Sequence, residues 1–275
     1  MECANDYSFN IKSMNPLTII KVGGNVIDDE SALTLFLIEF AKVSGKKILV
    51  HGGGKVATQL AEALHIAQEM VDGRRITDAE TLKVVTMVYA GLINKNIVAK
   101  LQANYCNAVG LCGADGNVIL AHKRISKTDF GYVGDVDEVN VEAMEKLLCM
   151  ADALIVAPIT HDGNGQLLNT NADTIAQEIA KACSSTYATT LIYSFEKPGV
   201  LLDANDDTTV IPTLHRSKFD ELRAANKIFA GMIPKLENAL SAVDAGVKKV
   251  IIGKASDLQH LIGGQSGTAI TSSES

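Results

Sequence analysis

The sequence has few cysteines, and none stands at a spacing typical of a bridge or a metal site. The five cysteines are widely separated with no Cys-x-x-Cys pair, and the six histidines show no ligand spacing. An odd number of scattered cysteines argues against a disulfide framework and against a zinc site. We therefore predict buried, reduced thiols and no protein-bound metal.

Long apolar runs and basic runs are missing as well. No window reaches the 18 or more apolar residues of a membrane span, and residues 1–15 contain no apolar core of the signal-peptide type. The net charge of −7 and the pI near 5.4 disfavour a nucleic-acid surface, which requires clustered Lys and Arg. We expect a cytoplasmic protein that binds neither membranes nor nucleic acids.

Apolar residues, in contrast, make up 47% of the 275 residues, which is enough for a large core. Apolar strand patterns alternate with helical patterns, as in 17–20, 30–43 and 47–50. This βα alternation favours a mostly parallel sheet covered by helices on both faces. We predict a lead-in at 1–15 before the ordered domain.

Two of these strands run into glycines. The strand at 48–50 is followed by the glycines 52–54, and an earlier strand ends at Lys21, just before Gly23 and Gly24. Glycines let the backbone approach a phosphate closely, and the N-terminus of the following helix favours negative charge. Glycines at such turns can also serve only to make the turn tight. Two glycine turns in one domain nevertheless predict a single anion site.

The glycine run is not a P-loop. That motif requires Gly, four residues, and then Gly-Lys-Ser/Thr. Here Gly54-Lys55 is followed by Val56, and Leu49 stands where the first glycine should be. The P-loop interpretation therefore fails.

A dinucleotide-binding motif fits better but in the wrong context. Gly52, Gly54 and Ala57 satisfy its looser pattern, and Asp72 lies 20 residues beyond Gly52. The ribose-binding acid should end a second apolar strand, whereas Asp72 sits in a polar turn. A dinucleotide-dependent oxidoreductase thus remains the weaker alternative.

Four charged residues stand where chemistry is expected. Lys21 and Lys235 each lie beside a glycine-bearing turn at the end of an element, where an ammonium can reach a phosphate, although a lone lysine is usually a solvated surface group. Asp173 falls in the first turn of a predicted helix, where Asp173 or Asn171 could simply cap it. Arg75 is a surface arginine or a bidentate clamp on a carboxylate.

Six short motifs, taken together and in order, resemble the amino acid kinase family over about residues 16–271. They are Lys21-Val-Gly-Gly, His51-Gly-Gly-Gly-Lys55, Gly73-Arg-Arg-Ile-Thr, Gly131-Tyr-Val-Gly-Asp, Leu168-Asn-Thr-Asn-Ala-Asp173 and Gly231-Met-Ile-Pro-Lys235. The resemblance implies an α/β fold, an αβα sandwich with a mostly parallel central sheet. It also implies phosphorylation, with ATP and Mg²⁺, of the side-chain carboxylate of an N-acylglutamate in arginine biosynthesis, the acyl group being acetyl or succinyl.

The resemblance further implies roles for individual residues. Lys21 and Lys235 would hold the transferring phosphoryl group, and Asp173 would orient them. Phosphate and substrate would rest on glycine N–H groups, and the acylglutamate would bind to polar side chains. These positions are Gly23 and Gly24 for phosphate, and Gly52, Gly53, Arg75, Asn169 and Asn171 for the substrate. Residues 16–160 would bind the acylglutamate and form the subunit contact, and residues 161–271 would bind the nucleotide.

One segment departs from the family's pattern. The family usually has Thr or Ser, then Asp, two residues and Gly after the strand near 190. This chain has Ser194-Phe-Glu-Lys-Pro-Gly199, which is one residue longer and lacks the Asp. Because this region contributes to the family's nucleotide pocket, a non-catalytic metabolite-binding subunit of the same fold is the alternative function.

A long apolar-striped helix is predicted from about 78 to 104. Such a helix suits an isologous contact between two copies. Arginine-inhibited hexameric members of the family carry an additional N-terminal helix, which 15 residues hardly provide. We therefore expect a homodimer without arginine inhibition.

Overall fold

The computed structural model describes residues 14–71, 74–228 and 232–272. The expected lead-in falls largely outside this part, as do Asp72, Gly73 and Gly231. The strands are β1 (Pro16–Val22), β2 (Lys46–His51), β3 (Met70–Val71), β4 (Arg74–Arg75), β5 (Ala108–Leu111), β6 (Ile119–Lys123), β7 (Gly134–Val139), β8 (Ala153–Val156), β9 (Ile159–His161), β10 (Leu167–Asn169), β11 (Ala188–Phe195), β12 (Thr213–Leu214), β13 (Lys249–Lys254) and β14 (Thr268–Ile270).

The helices alternate with these strands through most of the chain, as the sequence pattern predicts. They are α1 (Gly24–Ile27), α2 (Glu30–Lys42), α3 (Gly54–Ala63), α4 (Ala79–Thr86), α5 (Asn94–Ala103), α6 (Val141–Met150), α7 (Ala172–Cys183), α8 (Arg216–Ala224), α9 (Ile233–Asp244) and α10 (Leu258–Gly263). A π-helical segment, Met87–Ile93, joins α4 to α5.

The central sheet has eight strands in the order β12-β14-β13-β11-β1-β2-β8-β5. All neighbours from β13 to β5 pair in parallel, and β14 pairs antiparallel to β13. The strand β1 lies in the middle, between β11 and β2. The prediction of a mostly parallel central sheet is confirmed.

Helices cover both faces of this sheet. Because side chains alternate along a strand, Leu17 and Ile19 of β1 face one core, while Ile20 and Val22 face the other. The first core is closed by α6, α7, α8 and α9, and the second by α2, α3, α4, α5 and α10. The fold is therefore the predicted αβα sandwich.

A second, four-stranded sheet with the order β10-β9-β6-β7 stands beside the main one. The sequence suggests only the turn between β9 and β10, because β6 is half exposed and its pattern is mixed. The polar, glycine-containing stretch at 113–117 is typical of a hairpin turn in the sequence, but it forms a short 3₁₀ turn at Asp115–Asn117 that leads into β6. This sheet forms a wall beside the site described below.

The long helix predicted at 78–104 is present, with Asp78 as its N-cap. Residues Ala79–Ala103 are long and apolar enough to cross a membrane by length and composition. However, Val85, Ile97 and Leu101 are completely buried in the second core. These contacts are those of a core helix in a globular protein.

The cysteines are free thiols in the part of the chain that the structure describes. Cys106 and Cys183 are buried, as predicted, and Cys112 is half-buried. Cys149 is exposed, so the prediction of a buried thiol is wrong there. Its position near the end of α6, which is amphipathic, explains this exposure.

Candidate active site

The carboxyl edge of the central sheet gathers the residues that the sequence singled out. Lys21 lies in β1, opposite Tyr193 of β11 in the register of the two strands. Since register partners share a face and alternate residues share a face, Lys21, Tyr193 and Phe195 all point toward the α7 and α9 side. Lys21 is therefore part of the strand itself, and its ammonium group reaches past the end of the sheet.

Lys21 is paired with Asp173. Its Nζ lies 2.8 Å from Asp173 Oδ1, and the two side chains are 12% and 26% exposed. Asp173 stands in the first turn of α7, whose N-cap is Asn171. The Asn171 side-chain oxygen accepts hydrogen bonds from the N–H groups of Asp173 (2.8 Å) and Thr174 (3.2 Å). The cap frees the Asp173 carboxylate to orient Lys21.

Lys235 approaches the same place from the first turn of α9. Its Nζ lies 3.9 Å from the centroid of the Phe195 ring, and Lys21 Nζ lies 5.8 Å from that centroid. Burial lowers the pKa of Lys235 below its ordinary value; Asp173 and Glu196 oppose this shift, and Lys21 adds to it. Both ammonium groups thus border one phosphate-sized region.

The cleft around these lysines has a glycine floor. Gly23 is the N-cap of α1, and Gly24 begins that helix. Both line the cleft together with Lys21, Lys235 and the end of β11. Backbone N–H groups at a helix N-terminus add positive potential to that of the lysines, so the cleft suits a polyphosphate.

A neighbouring cleft contains the glycine run after β2. Gly53 has φ 147°, and a Cβ there would overlap Ile93 Cδ1, so only glycine fits. Gly52, Gly53 and the start of α3 line this cleft opposite the N-terminus of α7. Two helix N-termini therefore face it.

Arg75, in β4, lines this cleft and is fixed by neighbouring acceptors. Its Nη2 donates to the Gly54 carbonyl (2.9 Å) and to the Thr58 hydroxyl (2.8 Å), and its Nη1 donates to the Gln68 side-chain oxygen. Burial raises the pKa of the adjacent Tyr89, which keeps that hydroxyl neutral beside the guanidinium. Arg75 is thus a pre-organised cation in the cleft.

The two predicted asparagines lie on the opposite wall. Asn169, in β10, donates from Nδ2 to the Thr77 hydroxyl (3.0 Å) and lines the cleft with Asn171. The β10 backbone here hydrogen-bonds to Tyr132, so the small sheet holds Asn169 in place. Asn169 and Asn171 thus add amide groups, which can both donate and accept hydrogen bonds, to the lining of this cleft.

His51, which begins the glycine motif, is a structural residue. It is fully buried, and burial lowers its pKa from 6.5 to about 4. Its Nδ1–H donates to the Gly52 carbonyl (2.8 Å), and its Nε2 accepts from Asn94 (3.3 Å). Neutral His51 therefore fixes the start of the glycine turn to the long helix.

The model of the amino acid kinase family matches residues 16–254, which is most of the chain. The chain belongs to the amino acid kinase family. Among curated relatives of this amino acid kinase, an acetylglutamate kinase from Cytophaga hutchinsonii is 56% identical over 251 residues, covering 90% of this chain and 95% of the relative. An acetylglutamate kinase from Phocaeicola vulgatus is also 56% identical, covering 92% and 98% of the two chains.

Solved structures show the same fold for this amino acid kinase. The protein smu.665 from Streptococcus mutans has a TM-score of 0.73 and is 28% identical, covering 94% of this chain and 99% of that one. A carbamate kinase from Giardia lamblia, bound to AMP-PNP, has a TM-score of 0.65 at 16% identity, covering 94% and 99%. At that identity the second likeness concerns the fold alone.

Within this amino acid kinase, the predicted residues fall into two adjoining groups. Gly52, Gly53, Arg75, Asn169 and Asn171 line the first cleft, which we call the acceptor cleft. Lys21, Gly23, Gly24 and Lys235 line the second, which we call the phosphate cleft. Asp173, next to Ala172 of the acceptor cleft and paired with Lys21, connects the two.

Sequence reasoning missed several residues of both clefts. Arg124 lines the acceptor cleft and is held by Asp135, and Met70 also lines it. Phe195 lines the phosphate cleft. The sequence signal for Phe195 was the departure at 194–199, a segment that is one residue longer than the family's pattern and lacks its Asp.

Proposed function

We propose that this protein transfers the γ-phosphoryl group of ATP to the side-chain carboxylate of an N-acyl-L-glutamate, in arginine biosynthesis. N-acetylglutamate is the first candidate, because two curated relatives that are 56% identical to this chain are acetylglutamate kinases. The observation that carries the proposal is the junction of the two clefts, where Asp173 at the edge of one pairs with Lys21 of the other.

The acceptor needs no general base. A glutamate side chain has a pKa near 4.3, so its carboxylate is already an ionised nucleophile at neutral pH. The protein only has to hold it in line with the phosphoryl group. We assign the α-carboxylate to Arg75 and the acyl amide to Asn169, with the reacting carboxylate near the N–H groups of Gly52 and Gly53.

The phosphoryl group passes through a state in which its oxygens share negative charge. Lys21 and Lys235 border that position, and the N-termini of α1 and α9 face it as well. These groups lie in place before the reaction and stabilise the negative charge that builds up on the leaving oxygen of ADP as the phosphoryl group moves to the carboxylate. Asp173 keeps Lys21 aimed at this point.

The nucleoside of ATP would occupy an apolar recess that continues from the phosphate cleft. The recess shares Lys197, Gly199, Met232 and Lys235 with that cleft. Its remaining walls come from Val200, Leu201, Ala204 and Ile228. Apolar walls of this kind suit a flat purine ring.

Mg²⁺ would enter as a complex with ATP. Over residues 14–71, 74–228 and 232–272, no group of three or more His, Cys, Asp or Glu could hold a metal ion by itself. Mg²⁺ commonly keeps several waters and binds through the nucleotide phosphates with few protein carboxylates. In this proposal the ion would partly neutralise the polyphosphate, and the site lysines would supply the positive charge that comes from the chain itself.

The remaining parts of the proposal concern organisation. Residues 16–160 would supply most of the acceptor cleft and the subunit contact, and residues 161–271 most of the nucleotide site. The protein would act in the cytoplasm as a homodimer that contacts its partner through the long helix Ala79–Ala103.

The experiment uses the purified protein with ATP, Mg²⁺ and a panel containing N-acetylglutamate, N-succinylglutamate and free glutamate. Hydroxylamine traps an acyl phosphate as its hydroxamate, and a coupled assay follows ADP in parallel. We expect hydroxamate with an N-acylglutamate and none with free glutamate. ATP binding without any acyl phosphate would instead favour the non-catalytic subunit.

A further inference from the structure

Phe195 lies in the segment 194–199, where the chain departs from the family's usual pattern. It is the last residue of β11 and forms part of the wall of the phosphate cleft. Lys235 Nζ lies 3.9 Å from its ring centroid, and Lys21 Nζ lies 5.8 Å away. Ammonium groups within about 6 Å of an aromatic face are attracted by the negative potential of the ring.

Neighbouring side chains fix the orientation of the ring. The ring stacks on that of Tyr193, with centroids 6.2 Å apart and an interplanar angle of 16°. Tyr193 is buried, and its hydroxyl donates to the Asp173 carbonyl (3.3 Å) at the start of α7. Phe195 is thus connected to the same helix that positions Lys21.

The charged surroundings of Lys235 explain why an aromatic partner is useful there. Asp173 forms its 2.8 Å ion pair with Lys21, and among the residues that the structure describes no carboxylate forms such a pair with Lys235. Asp173 and the exposed Glu196 attract Lys235 from beyond ion-pair distance, and Lys21 repels it. The closest favourable group is therefore the ring face.

We propose that Phe195 is a positioning residue that holds the Lys235 ammonium group at the phosphate cleft through its ring face. A carboxylate in that place would pair with the lysine and repel the phosphates. The ring attracts the cation without cancelling its charge, so the full charge remains available to the transferring phosphoryl group. This proposal rests on the proposed function and extends it.

The test compares Phe195→Leu, which removes the ring face, with Phe195→Tyr, which keeps it. Since a desolvated cation–π contact contributes about 2 kcal/mol, we expect Phe195→Leu to lower kcat roughly tenfold to thirtyfold. The KM for the acylglutamate should change less than twofold. Phe195→Tyr should retain at least about a third of the wild-type kcat.

The pH profile separates positioning from simple packing. The groups that face Lys235, namely Lys21, Asp173 and Glu196, are the same in all variants. Because the ring favours the ammonium form, its loss should move the alkaline limb of the kcat/KM profile to lower pH in Phe195→Leu. Phe195→Tyr should keep the wild-type limb. Equal loss in the two variants, with unchanged limbs, would assign Phe195 a packing role and overturn the proposal.

A double-mutant cycle measured by ATP binding is independent of the kinase reaction. Isothermal titration of ATP into the wild type, Phe195→Leu, Lys235→Met and the double variant gives the coupling between the two residues. We expect the double variant to bind no more weakly than Lys235→Met alone. Additive losses would overturn the proposal, even if the wild type phosphorylates no acylglutamate. Circular dichroism checks folding, and Phe195→Met replaces Phe195→Leu if the leucine variant fails to fold.

Discussion

Replacing either site lysine with methionine should slow catalysis, but the two replacements should not be equivalent. Lys21 forms a 2.8 Å ion pair with Asp173, whereas Lys235 rests against the Phe195 ring. Lys21→Met therefore removes a cation and also leaves the Asp173 carboxylate without its ion-pair partner beside the phosphates. Lys235→Met removes a cation and leaves no unpaired anion.

The magnitude follows from this difference. Loss of one charge-stabilising donor costs roughly 10²–10³ in kcat, or about 3–4 kcal/mol. Two like charges about 4 Å apart repel each other by up to ~4 kcal/mol at the effective dielectric of a protein surface. Lys21→Met should therefore lower kcat more than Lys235→Met does. Adding Asp173→Asn to Lys21→Met removes the carboxylate charge that lost its partner. The kcat of this double variant should be about tenfold higher than that of Lys21→Met alone.

Steady-state kinetics at saturating ATP and acylglutamate tests this order, with circular dichroism as the folding control. Each variant should still bind ATP, although more weakly than the wild type, because these interactions strengthen further in the transition state. Wild-type kcat in a well-folded Lys→Met variant would remove that lysine from the mechanism. If Asp173→Asn further slows Lys21→Met, then the argument from the unpaired carboxylate is wrong.

Three other predictions concern the acceptor, acid stability and assembly. Arg75→Lys keeps the charge but loses the planar fork, so the KM for the acylglutamate should rise about tenfold while the KM for ATP stays constant; equal rises would contradict the assignment. Burial lowers the pKa of His51 to about 4, below its unfolded value of 6.5. Between these two pH values the imidazole therefore binds a proton in the unfolded state but not in the folded state. The free energy of unfolding should therefore fall by up to about 3 kcal/mol as the pH drops from 6.5 to 4, and urea titrations of His51→Asn should show a flatter dependence. We expect light scattering to show a dimer, and Leu92→Asp, on the exposed side of the long helix, should convert it to a monomer. Millimolar arginine should not inhibit the enzyme. A wild-type monomer or hexamer would contradict the predicted assembly.

The sandwich was predictable because strands that are buried on both faces of a parallel sheet have a recognisable sequence pattern. Buried stretches such as residues 48–50 read as continuous apolar runs between helical patterns. The small second sheet has no such pattern in its sequence. Its strand β6 has a burial pattern that ends in the exposed residues His122 and Lys123, so local preference alone does not reveal the pairing with β9.

The candidate site was predictable only where backbone geometry restricts the residue type. Gly53 adopts a φ that excludes other residues, and such a position is visible in a sequence as glycine next to a strand. Arg124 and Phe195 were not predictable, because each is one of many residue types that could stand there. Their roles depend on partners distant in sequence, such as Lys235, 40 positions after Phe195.

The positive site of this acidic protein follows from the direction of its strands. In a parallel sheet every strand ends at the same edge, so the helices that follow begin there, and their N-termini meet. Here α1 and α3 follow the parallel strands β1 and β2 directly. The helix α7, which follows β10 of the small sheet, and the helix α9, which follows α8, also begin beside the two clefts, and the lysines and Arg75 add to the same potential. Positive potential at that edge attracts both an anionic acceptor and a polyphosphate, so the two substrates can bind side by side there. Asp173 forms its ion pair with Lys21 and not with Lys235, and this difference makes the two lysines chemically distinct within the described site.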